Sequence, residues 1–514
     1  MEYRNKSQRK WFVSLIYQIL LISVIGVTTG CTSNDQTSSR GVLRVAAEAI
    51  VQTDPAFISS DSEVMVVNAV YDYLVDVDES NQIQPRLATR WEVEEDGLTH
   101  TFFLAEGVRF HDGTPLTAED VVWSFDRLRN PDSGLPTADL YSNILKIEAT
   151  GTLEVTFTLR KTNPFFLYDL SDNHALILKA GTDEFGSTFN GTGPFKVKTY
   201  SPEDRIELVA NDDYFLEDLP KLEALEIIFF TDEAAEANAL RTGQVDIITQ
   251  ISTALFKNLQ LESSIITLNV ATNAFPVVRI RADQPPGDDP RVVQAIKHAI
   301  NRNEILALVQ QGLGAMGHDT PIGPQYSDLY VDDLPLPELD LEKARQLLDL
   351  AGYADGLDLT LRVPEAQNFP DLAVVLKEQL SKVGINVEIS VEPESVYYGE
   401  DGWLEATFGI TGWGSRPYPQ FYLDVMLTCD AKWNESHFCD EEFDNWVSIA
   451  GSTLDEEERV QAYREIQRIL IERGPIIVPF FFPQFGAVHE RVENFQMKAF
   501  VGRSDFRPVS ITEK

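Results

Sequence analysis

Residues 412–419 place an indole, a guanidinium group and a phenol within a short, glycine- and proline-rich segment. Arg416 carries a planar fork of N–H donors that suits a carboxylate or a phosphate. Trp413 is suited to the wall of a binding pocket, since such sites combine apolar walls with a few placed polar groups. Two alternatives stay open: Arg416 pairs with a neighbouring acidic residue, and Trp413 packs in the core.

Four weaker candidates for ligand binding accompany this segment. Tyr418, Trp433 and Asn434 lie close to it in the sequence. Glu48 follows the first predicted strand and could meet the positive end of a ligand, although it could equally be an exposed acidic residue. None of these residues belongs to a motif that fixes its role.

The chain contains three cysteines, of which Cys429 and Cys439 are close enough for a local disulfide in an oxidising compartment. The alternative is a pair of free thiols with a metal or catalytic role. No CxxC spacing is present, and His437 is the one histidine near them. These features favour a disulfide that staples a loop.

Motifs for catalysis and metal binding are missing. The chain lacks GxSxG, Walker A, GxGxxG and HExxH patterns, and its seven histidines are scattered. His111 lies in an Asp-Gly turn, where it is better explained as a turn residue than as a metal ligand. We therefore predict no enzymatic activity, no metal site and no cofactor.

The overall composition limits the class of partner. The 514 residues exceed one ordinary domain and include 42 basic and 81 acidic residues, for a formal charge of −39. Such a surface repels nucleic acid and anionic lipid, so neither is expected to bind directly. Apolar residues make up 43% of the chain, as in a globular protein.

The N-terminus is typical of an exported lipoprotein. Basic residues before position 11 are followed by an apolar run to about Val27 and by small residues before Cys31. This ending resembles a bacterial lipobox, with Thr28 where that motif usually has leucine. We predict a signal peptide over residues 1–30, lipidation of Cys31 and a polar tether over residues 31–41; the alternative is an uncleaved membrane anchor.

The remaining patterns predict mixed α and β structure. An Asp-Gly turn at Asp96 joins two alternating segments and indicates an antiparallel hairpin. Residues 357–391 alternate, then follow helical spacing, then alternate again, which predicts a strand–helix–strand unit. Further helices are predicted after Thr117, Asp289 and Asp340 and over residues 456–472.

Residues 107–121, which read Gly-Val-Arg-Phe-His-Asp-Gly-Thr-Pro-Leu-Thr-Ala-Glu-Asp-Val, resemble the signature of family 5 of the bacterial extracellular solute-binding proteins. This family comprises the peptide, oligopeptide and nickel receptors of ABC importers. Five further matches follow the family's order: Leu87 to Gly97, Gly191 to Phe195, Leu240 to Asp246, Asp289 to Arg302, and Ala344 to Tyr353. The resemblance covers nearly all of the chain after the tether.

The resemblance implies a fold of two α/β lobes, the periplasmic-binding-protein clamp, with an extra subdomain in the first lobe. It places lobe I at residues 42–75, 191–274 and 491–514, the subdomain at 76–190 and lobe II at 275–490. It also implies a monomer in the periplasm or on the outer face of the cytoplasmic membrane. Such a receptor captures short peptides or small solutes and delivers them to a membrane permease.

One position departs from the peptide-binding members. In those proteins the tryptophan corresponding to Trp413 is followed three residues later by an aspartate that pairs with the ammonium group of the peptide. Arg416 stands at that position here and would repel an ammonium group. Either the solute is anionic at this point, or peptides are held by another anchor; a sensor or chaperone on the same fold is a further alternative.

Overall fold

The computed structural model describes residues 40–135, 137–185, 189–399 and 401–512. The predicted signal peptide, Cys31 and most of the predicted tether lie outside the described residues. Within the described ranges, no helix combines the length and the apolar character needed to cross a membrane.

A seven-stranded sheet forms the centre of the first lobe. Its strands, in spatial order, are Ile265–Ala271, Pro483–His489, Ile247–Ile248, Val42–Ala47, Ala224–Phe229, Arg205–Ala210 and Phe195–Ser201. The strand Val42–Ala47 pairs in parallel with both of its neighbours, and Leu43 and Val45 are fully buried. A strand in this position needs apolar side chains because its neighbours and the covering helices exclude water from it.

A five-stranded sheet forms the second lobe. Its spatial order is Ile385–Glu392, Leu357–Pro364, Phe408–Trp413, Phe275–Ile280 and Ile476–Ile477. The first two strands are parallel and are joined by the helix Phe369–Ser381, which buries Leu372, Leu376 and Leu380. The predicted strand–helix–strand unit is confirmed.

A four-stranded antiparallel sheet forms a subdomain. Its spatial order is Ala88–Val93, Thr99–Leu104, Glu154–Leu159 and Ile144–Gly151. Gly97 occupies the turn of the predicted hairpin with a φ of +65°, a conformation that glycine adopts without a steric penalty. The ring of Phe157 contacts those of Phe102 and Phe125 edge to face in the core of this subdomain.

The remaining elements cover these sheets or extend them. The longer helices are Asp61–Val70, Ala118–Leu128, Glu233–Arg241, Thr253–Leu259, Pro290–Ala299, Arg302–Val309, Leu341–Ala351, Gln420–Met426, Glu441–Ala450 and Glu456–Arg473. The helical turns are Phe166–Asp169 and Glu394–Tyr397, with 3-10 turns at Pro131–Ser133, Pro324–Leu329, Trp403–Glu405 and Val501–Arg503. Short paired strands are Val75–Val77 with Ile83–Pro85, Ala315–Met316 with Phe480–Phe481, and Val492–Glu493 with Ser510–Ile511.

The chain passes between the two large sheets at residues 271–275 and again at 481–483. The two crossings are joined there, because Thr272 Oγ1 donates a hydrogen bond of 2.6 Å to the Phe482 carbonyl and the Phe482 N–H donates to the Ala274 carbonyl at 2.8 Å. The lobes are therefore connected through a paired, two-stranded crossing.

The predicted end of the second lobe at residue 490 is wrong. The strand Pro483–His489 pairs with Ile265–Ala271 in the seven-stranded sheet, so the chain has already returned to the first lobe at Pro483. Residues 476–489 are apolar almost without interruption, and such a run carries no signal for the point at which a chain changes sheets.

A buried carboxylate joins the subdomain to the C-terminal region. Asp76, 6% exposed, lies 2.5 Å from Arg503 Nη2, 3.3 Å from Arg86 Nη1 and 3.7 Å from Lys498 Nζ. Burial alone would raise the pKa of Asp76, but the charges of Arg503, Lys498 and Arg86 outweigh it and hold the pKa well below the ordinary value. Residues 76 and 503 are thereby fixed to each other across most of the sequence.

We predict that Asp76→Ala lowers the free energy of unfolding by about 3–5 kcal/mol, because it leaves buried cations without their counter-ion. Urea denaturation at pH 7 measures this loss. Since the folded-state pKa is lowered, the stabilisation is complete at neutral pH and decreases as the pH falls below about 4.

The matched control for this prediction is Asp333→Ala, which removes an exposed partner of Arg464 and should leave the unfolding transition unchanged. Equal transitions for Asp76→Ala and wild type would contradict the proposed role of the buried carboxylate.

Candidate functional site

A cavity of about 250 Å³ lies between the two lobes, and we call it the interlobe cavity. The first lobe and the subdomain contribute Val77, Asp78, Glu79, Ser80, Asn81, Lys498, Ala499, Phe500 and Arg503. The crossing and the second lobe contribute Asn273, Gln325, Ser327, Ser415 and Arg416. Most of these residues are of polar types, and both lobes must keep their positions for the cavity to exist.

Arg416 is exposed and lines the interlobe cavity. Its guanidinium carbon lies 4.6 Å from the centre of the Phe421 ring, a distance compatible with a cation–π contact. Among the described residues, no acidic side chain lies within ion-pair distance of it. The guanidinium group is thus held beside an aromatic ring with its N–H donors available.

Trp413 ends the central strand Phe408–Trp413 and is half buried. Its indole Nε1 donates a hydrogen bond of 3.0 Å to Glu435 Oε1, and its ring lies 6.2 Å from those of Tyr422 and Trp433. It packs against the core of the second lobe and does not line the interlobe cavity. Its contacts position the strand end from which the Arg416 segment continues.

Glu435 is the residue that holds this strand end. Its carboxylate is fully buried and accepts hydrogen bonds from Arg279 Nε at 2.9 Å, Thr411 Oγ1 at 2.6 Å and Trp413 Nε1 at 3.0 Å. A buried carboxylate is tolerated when it is paired and hydrogen-bonded in this way. Strand, tryptophan and the segment that carries Glu435 are consequently fixed to one another.

Residues 429–439 form what we call the disulfide loop, because Cys429 and Cys439 are bonded to each other. Asn434 serves this loop: its Nδ2 donates to the carbonyls of Thr428 at 3.0 Å and Phe438 at 2.7 Å. Trp433 is 37% exposed and, like Asn434, does not line the interlobe cavity. The loop places Glu435 beside Trp413 at the end of the strand Phe408–Trp413.

Tyr418 points away from the interlobe cavity. Its ring stacks on Phe165 of the subdomain, with ring centres 4.9 Å apart and planes 8° from parallel. Its hydroxyl donates a hydrogen bond to the carboxylate of Asp169. Together with Tyr168 and Tyr326, these rings line a second cavity of about 210 Å³.

Glu48 lies apart from the other candidates, in a cavity of about 420 Å³ at the carboxyl ends of the parallel strands Val42–Ala47 and Ala224–Phe229. We call it the acidic cavity because its ionisable lining residues are Glu48, Asp61, Asp232, Glu233 and Glu236. Burial, and then the charges of Glu233, Glu48 and Asp232, raise the pKa of Glu236 to about 7. The edge of a sheet where parallel strands end is a common position for ligands in α/β proteins.

The structure therefore distributes the predicted residues over three places. Arg416 lines the interlobe cavity, Glu48 lines the acidic cavity, and Tyr418 lines the cavity of about 210 Å³; Trp413, Trp433 and Asn434 line none of the three. Within the described ranges, no group of three or more histidine, cysteine, aspartate or glutamate side chains is arranged to hold a metal.

Sequence reasoning missed Asn273, Lys498 and Arg503 in the cavity wall and Glu435 behind it. These residues belong to no local motif. The two basic ones come from the C-terminal region, which packs against the segment that begins at Val77. The loop between the two cysteines is largely polar in sequence, so nothing in it distinguished Glu435 from an exposed carboxylate.

We predict that replacing both Cys429 and Cys439 by serine lowers the free energy of unfolding by about 2–3 kcal/mol, the entropic effect of opening a loop of this length. Urea denaturation without reductant measures it. Wild type in excess reductant should approach the stability of the variant, and equal stability of variant and oxidised wild type would contradict the prediction.

Comparison with known proteins supplies the family. The model described as "Bacterial extracellular solute-binding proteins, family 5 Middle" matches residues 82–434. A di/tripeptide-binding protein of Pseudomonas aeruginosa is 28% identical over 466 residues, which cover 84% of this chain and 86% of the relative. Heme-binding protein A of Haemophilus influenzae is 27% identical over 524 residues, which cover 95% of each chain.

Solved structures agree with the fold. A periplasmic binding protein, DppA of Helicobacter pylori in complex with the peptide STSA, has a TM-score of 0.75 and 25% identity, covering 92% of this chain and 98% of that one. AgaA of Agrobacterium tumefaciens in complex with agropinic acid has a TM-score of 0.74 and 25% identity, covering 92% and 99%. The predicted α/β class and two-lobed clamp are confirmed.

Proposed function

The chain belongs to family 5 of the bacterial extracellular solute-binding proteins, and we propose that the solute it captures for its ABC importer carries an anionic group recognised by Arg416. The family binds peptides and related solutes between two lobes. The observation that carries the proposal is the Arg416 guanidinium group, which lines the interlobe cavity and has no acidic partner among the described residues.

The interlobe cavity has four other charged residues, the basic Lys498 and Arg503 and the acidic Asp78 and Glu79. Lys498 and Arg503 stand on the opposite wall, although both are partly neutralised by Asp76. Asp78 is engaged locally, since its carboxylate accepts hydrogen bonds from the amides of residues 80 and 82. Arg416 has no ion pair among the described residues, and a charge-assisted hydrogen bond to a carboxylate or phosphate is the strong interaction available to it.

The acidic cavity offers a place for a positive group of the solute. Glu48 is exposed there, and the lining contains no basic residue. It lies beside the first turn of the helix Asp61–Val70, which packs on the turn Val501–Arg503 next to the interlobe cavity. Glu48 and Arg416 thus provide opposite charges, as a zwitterionic peptide or amino-acid derivative requires.

An anionic solute that is not a peptide is the second candidate. The similar receptor AgaA is described in complex with agropinic acid, which shows that its structure accommodates a non-peptide acid. Arg416 would serve such a solute equally well, because it recognises the anionic group and not the peptide backbone. The two candidates differ in whether the solute contacts Glu48.

We also propose that Cys31 anchors the chain by a lipid on the outer side of the cytoplasmic membrane or in the periplasm, where the receptor acts as a monomer and delivers its solute to the permease. The support is the order of the N-terminal residues: a basic segment, an apolar run and a cysteine after small residues. One acyl chain binds a membrane weakly, so stable anchoring needs further acylation of the same residue.

We predict that Arg416→Ala weakens binding of carboxylate-bearing dipeptides by about 10- to 100-fold, because it removes charge-assisted hydrogen bonds. Isothermal titration calorimetry should compare each free dipeptide with its C-terminal amide. Wild type should prefer the carboxylate, and the variant should bind both forms alike.

The control for this titration is Arg464→Ala, which removes an exposed arginine of the same lobe that is absent from the lining of the three cavities described above. It should bind as wild type does. Unchanged affinity in Arg416→Ala would show that Arg416 does not contact the solute.

We predict that wild type partitions into the detergent phase in a Triton X-114 extraction, whereas Cys31→Ser partitions into the aqueous phase because it cannot be acylated. Immunoblotting of both phases measures this. Detergent partitioning of the variant would favour an uncleaved N-terminal anchor over a lipid.

A further inference from the structure

Residues 416–419, which we call the Arg416 loop, are contacted by the subdomain. Phe165 stacks on Tyr418, and Tyr168 lies 5.9 Å from the same ring. Phe165 is 5% exposed and belongs to the buried apolar cluster of the second lobe, although it comes from the subdomain. The subdomain is therefore docked on the second lobe at the loop that carries Arg416.

Hydrogen bonds between the subdomain and the two residues that follow Arg416, Pro417 and Tyr418, reinforce this docking. Asn81 Nδ2 donates to the Pro417 carbonyl, and Tyr418 Oη donates to Asp169. Tyr168 Oη donates to the Asn81 carbonyl at 3.1 Å and so connects the two contacts. The subdomain holds the loop at consecutive positions.

The second lobe holds the loop from the other side. Tyr326 Oη donates to the Arg416 carbonyl at 2.8 Å, and Tyr422 Oη donates to the Gly414 carbonyl at 2.7 Å. The backbone around Arg416 is thus fixed by both parts of the molecule, whereas the guanidinium group itself has no hydrogen bond to the described residues. The docked subdomain therefore helps to set the position from which the Arg416 side chain extends.

We infer that Asp169 is a positioning residue for solute capture: through Tyr418 it fixes the Arg416 loop, and its protonation strengthens the docking of the subdomain. This inference rests on the proposed function only in its use of Arg416 as the solute contact. The docking itself and its dependence on Asp169 are independent of the solute.

The carboxyl group of Asp169 is buried without a counter-ion among the described residues. The residue is 8% exposed and accepts hydrogen bonds from Tyr418 Oη and Asn163 Nδ2. An asparagine could occupy this place without the cost of a buried charge. Burial raises the pKa of Asp169 to about 7; the hydrogen bonds of Tyr418 and Asn163 lower it, and the charges of Asp172 and Asp424 raise it.

Other titratable and charged groups lie near this contact. They are Tyr141, Tyr168, Tyr418, Asp172, His174, Asp424, Lys161 and Arg416. His174 is also titratable: burial lowers its pKa, but the hydrogen bond and charge of Asp172 outweigh burial and raise it. Its ring nitrogens bind Asp172 and the Ile58 carbonyl. A variant at Asp169 therefore separates the two groups.

The direction of the pH effect follows from the raised pKa. Docking buries Asp169 and favours its protonated form, so docking is strongest at low pH and weakens as the pH rises towards 7. Above that pH the carboxylate is charged whether docked or not, and the effect levels off. The Arg416 loop should accordingly be more ordered at pH 5 than at pH 8.

The test places a nitroxide spin label on an Arg416→Cys variant in a Cys31→Ser background. Because Cys429 and Cys439 are bonded to each other, the added cysteine then carries the free thiol that the label modifies. Electron paramagnetic resonance reports the mobility of the label without any solute. We expect the mobile fraction to rise by about tenfold from pH 5 to pH 8. With Asp169→Asn the label should stay immobile at both pH values, because the isosteric amide retains the contact without charge.

Two further variants make the outcome decisive. Tyr418→Phe keeps the stacking but removes the hydrogen bond, and it should give a mobile label at both pH values. Asp139→Asn, at an exposed position of the same subdomain, should leave the wild-type pH profile unchanged.

A label whose mobility is the same at pH 5 and pH 8, or whose pH profile survives Asp169→Asn, would overturn the inference. Failure of the proposed function would instead appear as unaltered solute affinity in Arg416→Ala.

Discussion

The carboxylate of Glu435 accepts hydrogen bonds from side chains of two neighbouring strands and from the indole at the end of one of them. Because it is fully buried beside Arg279, removing either partner would leave a charge without solvent or counter-ion. This requirement fixes the end of the central strand relative to the disulfide loop. The backbone that continues from Trp413 consequently enters the cleft in a defined direction.

In the function that we propose, Arg416 is the side chain that recognises the solute. The Arg416 loop is held on one side by a tyrosine of the second lobe and on the other by the subdomain, and its guanidinium group lines the interlobe cavity without an ion pair among the described residues. Glu48 lines the acidic cavity of the first lobe and would supply the opposite charge in the proposed function.

The sequence was sufficient for those parts that depend on local patterns. Alternation followed by helical spacing predicted the unit over residues 357–391, and the Asp-Gly dipeptide predicted the hairpin, because each signal lies within a few residues of the structure it specifies. The docking of the subdomain could not be predicted in this way. Asn81 meets Pro417 from 336 residues away, and Tyr418 meets Asp169 from 249 residues away. The sheet change at Pro483 was missed because a continuous apolar run suits either lobe.

The most direct test of the central claim is mass spectrometry of whatever the purified chain releases when it is denatured, since a solute bound between closed lobes can survive purification. The account predicts a molecule with a carboxylate or another anionic group, either a peptide or a non-peptide acid. A released solute that is neutral or purely cationic would contradict the assignment of Arg416 as its binding group.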